Sequence, residues 1–471
     1  MKKLSAENIN ISVINLISDV AEKENVEIFL VGGFVRDLIL ERKSKDIDVL
    51  VIGNGIDFAK IVAKKTNERI QVFKNFGTAM LKTKDYEIEF VGARKESYNS
   101  DSRKPTIEEG NLEEDLSRRD FTINTLAISL NKKNYGEIVN LFDGINDIKR
   151  KIIKTPKDPQ VTFHDDPLRM FRAARFASQL NFKIDKENID FIKKEKHRID
   201  IISKERINIE LNKILMSDKP SIGFKALNDT GLLNIILPEI YDLHGVDEIE
   251  GKKHKDNFHH TLKVVDNICE KTNKLWLRWV ALLHDIGKPK TKKFHKKIGW
   301  TFHGHEYVGA KMVDRIFKRL KLPLNDKLSY VKKLVSLSSR PIVLSLESIT
   351  DSAVRRLIYD AGEDIDDLLT LCEADITTKN EYLQKKYLNN FKIVREKIKL
   401  VEERDHIRNF QPPVSGEEIM NYFNLKPCKE IGIIKDFIKE SILNGDITNS
   451  YDEAKELMIK KGKNLGLSVN E

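Results

Sequence analysis

Hydrophobic residues recur at helical spacing from about Ile9 to Glu24, which predicts an amphipathic N-terminal helix. From Ile28 to about Leu141 the pattern changes: short β-branched runs alternate with helical segments, and Gly and Asn residues mark the turns. This pattern predicts a compact α/β domain with about five strands. From about Ile148 onward, helical spacing dominates and prolines interrupt it, so the rest of the chain is predicted to be an array of helices.

Composition constrains the number of domains and the class of partner. A chain of 471 residues is too long for one hydrophobic core, so about two to four domains are predicted. The hydrophobic fraction of 40% and the charged fraction of 33% are those of an ordinary folded protein. The formal net charge of +9 suits a polyanionic partner.

The cysteines and the N-terminus favour a cytoplasmic protein. Cys269, Cys372 and Cys428 lie far apart without CxxC spacing, so neither a disulfide framework nor a thiolate zinc site is predicted. The N-terminal segment lacks the unbroken apolar stretch and the cleavage site of a signal peptide. No run approaches the roughly 18 apolar residues of a membrane span, so no membrane partner is expected.

A glycine turn precedes two aspartates in the first strands. Gly32 and Gly33 separate an apolar strand from an apolar helix, so their backbone N–H groups are candidates for a phosphate site. The alternative is that the two glycines only connect the strand to the helix. Asp46 and Asp48 are two apart on a strand and project from one face, roughly 7 Å apart. Paired carboxylates on an apolar strand repel each other, which favours a metal site, and Mg²⁺ suits oxygen ligands beside phosphates.

A third acidic ligand is predicted on the strand YEIEFV. Glu87 and Glu89 alternate there with apolar residues, and the apolar flanks of Glu89 favour it over Glu87. The alternative is that both face solvent at a sheet edge.

The run LVGGFVRDLILERKSKDIDVLVIG resembles the first motif of class II tRNA nucleotidyltransferases (CCA-adding enzymes) and of the similar bacterial poly(A) polymerases, within the polymerase-β-like superfamily. The resemblance implies that Asp46 and Asp48 hold two Mg²⁺ ions, one activating the RNA 3′-hydroxyl and one bridging the triphosphate. It also implies that Gly33 and Arg36 contact the incoming triphosphate.

The segment EEDLSRRDFTINTLAIS places four polar residues ahead of an apolar run that is predicted to be helical: Arg118, Arg119, Asp120 and Asn124. From the residues alone it is also compatible with a capped helix and a salt bridge. It is similar to the second family motif, which implies that the arginines contact phosphates and that Asp120 and Asn124 hold the sugar side or the local scaffold.

The next motif, FHDDPLRMFRAARF, combines an aspartate with arginines at steps of three. Asp166 and Arg169 fall on neighbouring turns of one helix side, and a carboxylate beside an arginine matches the amine and acceptor edge of cytosine or adenine. Uracil and guanine present a carbonyl there, leaving buried polar groups unpaired at a cost of about 1–3 kcal/mol. The alternative is that Asp166 only caps a helix.

This motif resembles the nucleobase-reading EDxxR motif of the same family, with Asp165 where many members have Glu. The resemblance implies that Asp166 and Arg169 recognise the base and that Arg172 and Arg175 contact the nucleotide phosphates. Downstream, SKERINIELNKIL is similar to the helical motif that closes the neck, in which Glu205, Arg206 and Glu210 are expected to brace the scaffold.

Histidines and aspartates of the second half form a third set. His284 and Asp285 follow an apolar helix and precede Gly287, which is a metal-ligand pattern. The set resembles the HD superfamily of metal-dependent phosphohydrolases, and its candidate ligands for an additional divalent metal are His260, His284, Asp285, His303 or His305, and Asp375. Ser338 stands where related sequences often have histidine, and the alternative is a degenerate helical body that only cradles tRNA.

The C-terminal segment QPPVSGEEIMNYFNLKPCKEIGIIKDFIKESILNGDI resembles that of the family, with Pro427-Cys428 in place of the usual Pro-Gly. Lysines throughout the helical part are candidates for tRNA phosphate contacts, which would weaken as salt rises. No individual RNA-binding residue is predicted there.

Together these features predict an α+β fold: a polymerase-β-like head at residues 1–147 and a nucleobase-reading neck at 148–225, followed by a helical body with an HD domain at 226–380 and a tRNA-binding tail at 381–471. The predicted activity adds C, C and A to the tRNA 3′ end from CTP and ATP, releasing pyrophosphate. Poly(A) polymerase, a CC- or A-adding enzyme, and an HD phosphohydrolase with a non-catalytic RNA-binding head remain alternatives. No protein partner is predicted.

Overall fold

The computed structural model describes residues 9, 11–74, 77–99, 102–346, 350–408 and 410–468. The chain divides into two compact units, Met1–Ile236 and Leu237–Glu471. Among the described residues, no helix combines the length and the hydrophobicity that crossing a bilayer requires.

The first unit contains helices and short strands in alternation. Its helices are α1 (Ser12–Glu24), α2 (Gly33–Ile39), α3 (Gly55–Thr66), α4 (Leu112–Ser117), α5 (Gly144–Arg150), α6 (Pro159–Asp165), α7 (Leu168–Leu180), α8 (Lys186–Glu195), α9 (Lys204–Leu215), α10 (Pro220–Asp229) and α11 (Leu232–Ile236). Its strands are β1 (Ile28–Val31), β2 (Asp46–Val51), β3 (Ile70–Phe73), β4 (Thr78–Lys82), β5 (Glu87–Gly92), β6 (Arg94–Asn99), β7 (Ser102–Glu109), β8 (Ala127–Ser129), β9 (Ile138–Val139), β10 (Ile152–Ile153) and β11 (Lys183–Ile184).

Seven strands form one mixed sheet in the order β3-β4-β5-β2-β1-β8-β9. Strands β2 and β5 are parallel, and the other neighbouring pairs are antiparallel. Sequence patterns predict about five strands and miss β4 and β8. The prediction that the run TLAIS is helical is wrong. Ala127–Ser129 form strand β8, and all three residues are buried. A strand buried on both faces lacks the alternation that identifies a half-buried strand.

The register of the sheet brings polar side chains together at one end of its central strands. Val31, the last residue of β1, lies opposite Asp48 of β2, so the turn at Gly32 follows directly beside that aspartate. On the other side of β2, Asp48 lies opposite Glu89 of β5. The hydrophobic core holds this register, because Val31 and Leu50 are completely buried.

Helix α7 packs against α9 and α10. Most of the helix is buried: Phe171 and Ala173 completely, and Arg169 and Arg175 almost completely, while Arg172 is partly exposed. Packing of the helix therefore fixes the positions of its three arginines.

The second unit is helical apart from short strand pairs. Its helices are α12 (Pro238–Tyr241), α13 (Asn257–Cys269), α14 (Leu275–Leu283), α15 (Lys288–Thr291), α16 (His305–Leu320), α17 (Asp326–Leu337), α18 (Arg340–Leu346), α19 (Asp351–Ala361), α20 (Ile365–Ala374), α21 (Glu381–Asp405), α22 (Gly416–Phe423), α23 (Lys429–Asn444) and α24 (Tyr451–Asn464). Its strands are β12 (Glu248–Ile249), β13 (Lys252–Lys253), β14 (Lys293–His295) and β15 (Gly299–Thr301).

Helix α14 forms the centre of this unit. Its sequence, LWLRWVALL, is apolar around almost the whole circumference, which is typical of a helix buried on all sides. It packs against α13, α17 and α20, so the residues at its end are held between those helices. The predicted fold class, a mixed sheet with helices followed by a helical region, is confirmed.

Candidate functional site

Three carboxylates converge on the sheet of the first unit. Asp46 and Asp48 lie on β2, and Glu89 lies beside Asp48 on β5; we call these three the head cluster. Burial raises the pKa of Asp48 to about 6, and although Arg119 opposes this shift, the carboxylates of Glu89 and Asp46 add to it. Carboxylates that repel one another in this way fit a divalent cation, which would stabilise all three in the charged form.

Glu87, the other acidic residue of β5, is placed differently. It lies opposite Asp46 in the sheet and forms an ion pair with Lys82. Glu89 is therefore the acid of this strand that is next to Asp48, while the charge of Glu87 is already compensated.

The glycine turn closes over the head cluster. Gly32 has a φ of +73°, and a Cβ atom added to it would lie 3.1 Å from Asp48 Oδ2 and 2.9 Å from Arg119 Nη1. Any larger residue would therefore be strained in its backbone and would press on both side chains. The carboxylate of Asp48 faces this turn, and Gly33, the next residue, begins α2.

A buried aspartate holds the two arginines of the second motif. Asp115 is completely buried and accepts hydrogen bonds from Arg119 at 3.0 and 3.2 Å and from the guanidinium of Arg118. Burial acts to raise the pKa of Asp115, but Arg119 and Arg118 outweigh it and lower that pKa. Asp115 was not predicted as a site residue, although it lies on α4 three and four residues before Arg118 and Arg119, and this spacing is a usable signal.

Asp120 joins residues of three motifs in one network. Its carboxylate accepts hydrogen bonds from Asn124 Nδ2 at 2.9 Å and from Arg172 Nε at 2.7 Å. Asn124 Oδ1 in turn accepts from Arg36 Nη1 at 2.8 Å. Burial favours the neutral acid, but Arg172 and Asn124 outweigh it, so the pKa of Asp120 falls to about 2. The aspartate therefore stays ionised and orients the arginines around it.

Three guanidinium groups gather around one aromatic ring. The Cζ atoms of Arg36, Arg172 and Arg175 lie 5.2, 5.3 and 4.1 Å from the centroid of Phe176. Burial, followed by the repulsion of Arg172, lowers the pKa of Arg175 to about 10, although Glu210 lies 3.3 Å from its Nε. Each of these arginines pairs with a carboxylate, of Asp37, Asp120 and Glu210 respectively, and the three together are a candidate anion-binding arrangement. The sequence contains no signal for the role of Phe176.

The predicted base-reading residues are placed apart from one another. Arg169 donates to the backbone carbonyls of Arg118 at 2.6 Å and Thr162 at 3.3 Å. Asp166 caps the start of α7 with one oxygen, and its other oxygen lies 3.6 Å from Arg206 Nη2. The backbone N–H of Arg169 donates to the carbonyl of Asp166 at 3.0 Å, but within the described part of the chain no hydrogen bond or ion pair joins their side chains.

A second cluster forms in the helical unit from five residues, which we call the His/Asp cluster: His260, His284, Asp285, His305 and Asp375. His260 Nε2 lies 2.8 Å from Asp375 Oδ1, and His284 Nε2 lies 3.3 Å from Asp285 Oδ2. His305 Nε2 lies 3.6 Å from Asp285 Oδ1. His260, His284 and Asp285 offer ligand atoms within 4.8 Å of one another, so they are close enough to bind one ion.

The outer nitrogen of each histidine ring is held by a neighbour. His260 Nδ1 lies 2.9 Å from Thr377 Oγ1, and His284 Nδ1 lies 2.8 Å from the carbonyl of Ala281. An Nδ1–H that donates to a carbonyl leaves the lone pair on Nε2, facing the centre. His284 Nε2 is buried and makes no hydrogen bond to a described residue, and this fits a metal ligand.

Gly287 explains how His305 reaches the His/Asp cluster. A Cβ atom on Gly287 would lie 2.0 Å from the carbonyl oxygen of His305 and 2.8 Å from the backbone nitrogen of Gly309. Only glycine allows the segment after Asp285 to pack so tightly on the start of α16. The carbonyl of Phe302, 2.9 Å from His305 Nδ1, then orients the imidazole ring.

A lysine that sequence analysis missed also contacts the cluster. Lys288 Nζ lies 2.6 Å from Asp285 Oδ2. Burial would raise the pKa of Asp285, but His284 and Lys288 outweigh it and hold that pKa well below its usual range. Ser338, by contrast, donates its hydroxyl to the carbonyl of Val335 at 3.0 Å. His303 is exposed in the turn before His305, and none of the cluster distances involves it.

Family models match three parts of the chain. Residues 28–154 match a poly A polymerase head domain, residues 181–243 match a probable RNA and SrmB-binding site of polymerase A, and residues 257–380 match an HD domain. Head domains of this type and HD domains typically use divalent metal ions. The two clusters lie in the parts matched by the head and HD models.

Named relatives cover the chain to different extents. The chain is 31% identical over 375 residues to the multifunctional CCA protein of Psychromonas ingrahamii, an alignment covering 77% of this chain and 87% of that protein. It is 42% identical over 166 residues to the A-adding tRNA nucleotidyltransferase of Aquifex aeolicus. This second alignment covers 35% of the chain but spans only 20% of the Aquifex protein.

A solved structure shares the fold over almost the whole chain. The apo form II structure of a CCA-adding enzyme matches with a TM-score of 0.64 and 22% identity, covering 98% of this chain and 97% of the other.

Proposed function

The chain belongs to the tRNA nucleotidyltransferase family, and from this premise we propose that it adds C, C and A to the 3′ end of tRNA from CTP and ATP without a nucleic-acid template, releasing pyrophosphate. The observation that carries the proposal is the head cluster: Asp46, Asp48 and Glu89 converge below the glycine turn at Gly32. Structures of a similar tRNA nucleotidyltransferase with a primer tRNA and an ATP analogue, and of a similar CCA-adding enzyme with ATP, give further support.

The head cluster would hold two Mg²⁺ ions through Asp46 and Asp48, with Glu89 as a third carboxylate. Such ions supply charge stabilisation at the attacking and leaving oxygens of an in-line phosphoryl transfer. The residues of the chain position the substrate: the N–H groups of Gly32 and Gly33 are candidates to bind triphosphate oxygens.

The arginine network would hold the rest of the triphosphate. The candidate phosphate ligands are Arg36, Arg118, Arg119, Arg172 and Arg175. Asp120 and Asn124 support this role indirectly, because their hydrogen bonds fix the guanidinium planes before the nucleotide arrives. Asp115 does the same for Arg118 and Arg119.

Selection of C and A by Asp166 and Arg169 stays a prediction. The Asp166 side chain is 21% exposed at the start of α7, one turn before the arginine network, and this position supports contact with a base. For Arg169 to read the same base, its guanidinium would have to leave the two carbonyls to which it now donates.

The decisive experiment incubates tRNA ending before the CCA, and tRNA ending in CC, with CTP and ATP singly and together. Addition of all three nucleotides supports the proposal. Addition of a single A to tRNA ending in CC, with no use of CTP, would instead support an A-adding enzyme, which the 42% identity to the Aquifex A-adding enzyme favours as the second candidate. Long A tails on unrelated RNA would identify a poly(A) polymerase.

For the second unit we propose a divalent metal at the His/Asp cluster and hydrolysis of phosphate esters there. The buried Nε2 of His284, which makes no hydrogen bond to a described residue and lies 3.3 Å from Asp285 Oδ2, supports metal binding. An enzyme of a different class would have only this activity, with a head that merely binds RNA. That alternative is correct if Asp46→Ala and Asp48→Ala leave all RNA-directed activity unchanged while His284→Ala abolishes it.

A further inference from the structure

A lysine-rich hairpin lies directly beside the His/Asp cluster. Residues 286–303 contain six lysines and no aspartate or glutamate. Within this segment, β14 and β15 form an antiparallel pair, in which Lys293 lies opposite Thr301 and His295 lies opposite Gly299. We call residues 293–301 the lysine hairpin.

Short segments of the chain connect both ends of the lysine hairpin to residues of the His/Asp cluster. The strand β14 begins eight residues after Asp285, and β15 ends four residues before His305. Thr291 Oγ1 donates toward the carbonyls of Gly287 and Phe302, at 3.2 and 3.4 Å, and this ties the two ends together. Each strand of three residues is roughly 10 Å long.

The hairpin is ordered by its own contacts. Phe294 and Trp300 meet edge to face with centroids 5.3 Å apart, and Trp300 Nε1 donates to the carbonyl of Lys252 at 3.1 Å. Lys252 Nζ in turn donates to the carbonyls of Lys296 and Lys297 at the tip, at 2.6 and 3.2 Å. A preformed surface loses little conformational entropy when it binds.

Among the described residues, the six lysines of residues 286–303 mostly lack an ion-pair partner. Lys288 pairs with Asp285, and Lys292 pairs with Asp247. Across the ranges that the structure covers, no ion pair involves the other four lysines, which are all exposed: Lys290, Lys293, Lys296 and Lys297. Several unpaired ammonium groups on one short segment favour a polyanion over a single phosphate as the partner.

We propose that the lysine hairpin binds the phosphodiester backbone of an RNA strand and directs its terminal phosphate ester to the His/Asp cluster. The substrates of that cluster would then be RNA ends rather than free nucleotides. The proposal rests on the phosphate-ester hydrolysis proposed above for this cluster. An anionic membrane would match the same charge, but the cluster beside the hairpin is built for phosphate esters, and this favours RNA.

The test compares two triple variants of the full chain with equal changes in charge. One carries Lys293→Glu, Lys296→Glu and Lys297→Glu. The control carries Lys311→Glu, Arg315→Glu and Lys318→Glu, at three exposed positions on α16. The probe is a 12-nucleotide single-stranded RNA with a 3′-terminal phosphate, measured by fluorescence anisotropy in EDTA over a range of salt concentrations.

The hairpin variant is expected to bind this RNA about tenfold more weakly near 0.1 M salt, and the slope of log affinity against log salt is expected to fall by about 2. The control should bind as the parent protein does. Equal weakening in both variants, or parental binding by the hairpin variant, overturns the proposal. Loss of binding to phosphatidylserine vesicles with unchanged RNA binding identifies a membrane surface instead and also overturns it.

Hydrolysis provides a second readout. If the cluster cleaves phosphate esters, the hairpin variant should lose kcat/KM for the 12-nucleotide RNA while retaining it for p-nitrophenyl phosphate, which is too small to reach the lysines. If the parent protein cleaves neither substrate, the proposed hydrolytic function fails, and the binding measurement in EDTA still decides the role of the hairpin.

Discussion

The head cluster and the His/Asp cluster are both candidate metal sites, but they are built differently. The head cluster uses carboxylates on two neighbouring strands, where the sheet register fixes their separation. The His/Asp cluster collects residues from α13, from the segment after α14, from the start of α16 and from the end of α20. A sheet therefore needs one pairing to form its site, whereas the helical unit needs four elements to pack correctly.

The two sites also differ in electrostatics. In the head cluster, burial and neighbouring carboxylates raise the pKa of Asp48 to about 6, so the acids repel one another. In the His/Asp cluster, His284 and Lys288 lower the pKa of Asp285 despite its burial. In the first site Arg119 does not offset burial and the neighbouring carboxylates, whereas in the second site the ammonium group of Lys288 already contacts Asp285. Removal of metal should therefore affect the first more strongly.

The largest expected effect is the loss of nucleotide addition in the variant Asp48→Asn. Without this carboxylate the proposed ions lose a shared ligand, and the rate of nucleotide addition should fall by about three orders of magnitude or more, measured with radiolabelled ATP and tRNA ending in CC. Asp85→Asn, in an exposed turn before β5, is the matched control and should retain the parental rate. Metal binding by the His/Asp cluster should not change. A variant with near-parental addition would contradict the assigned role of Asp48.

The second effect concerns metal binding in the helical unit. Replacement of a buried ligand by His284→Ala should weaken divalent metal binding at the His/Asp cluster by about 100-fold or more, measured by titration calorimetry with Mn²⁺. His303→Ala, exposed in the turn before α16, is the control. The rate of nucleotide addition at saturating substrates should be unchanged, and a parallel loss of both activities would show that the two sites are not independent.

The third effect is on folding stability without metal. Since the folded-state pKa of Asp48 is about 6 against an ordinary 3.8, the folded state binds more protons, and stability should decline as pH rises from about 4 to about 6. Asp48→Asn removes this decline, so at pH 7 the variant should be more stable by about 1–3 kcal/mol in urea unfolding with EDTA. Equal stability of the two proteins at pH 7 would mean that the repulsion is already relieved.

The smallest expected effect concerns Lys288, whose ammonium group contacts the His/Asp cluster. Lys288 Nζ occupies Asp285 Oδ2, an oxygen that an incoming ion would also use. Lys288→Met should therefore strengthen Mn²⁺ binding about tenfold, because both the competition and the charge repulsion are removed. Lys290→Met, two residues further along α15 and exposed, should have no effect. Weaker binding in the Lys288 variant would mean that the lysine organises the ligand instead of competing for it.

Much of the fold could be predicted from local patterns. The alternation in KDIDVLVI was sufficient to place Asp46 and Asp48 on one strand, and the apolar run before His284 was sufficient to place that residue at the end of a buried helix. Strand β8 could not be recognised, because Ala127–Ser129 are buried on both faces and show no alternation.

The kinds of side chain at each site, and the spacing of those that share one strand or helix, can be read from the order of residues in the chain. Folding brings distant residues together: Glu89 beside Asp48, Asp375 beside His260, and the guanidinium of Arg169 on the carbonyl of Arg118 instead of on the carboxylate of Asp166. The physical reason is that local spacing follows from backbone geometry, which repeats along any strand or helix. Contacts between distant residues depend on sheet register and helix packing, which the whole hydrophobic core sets at once.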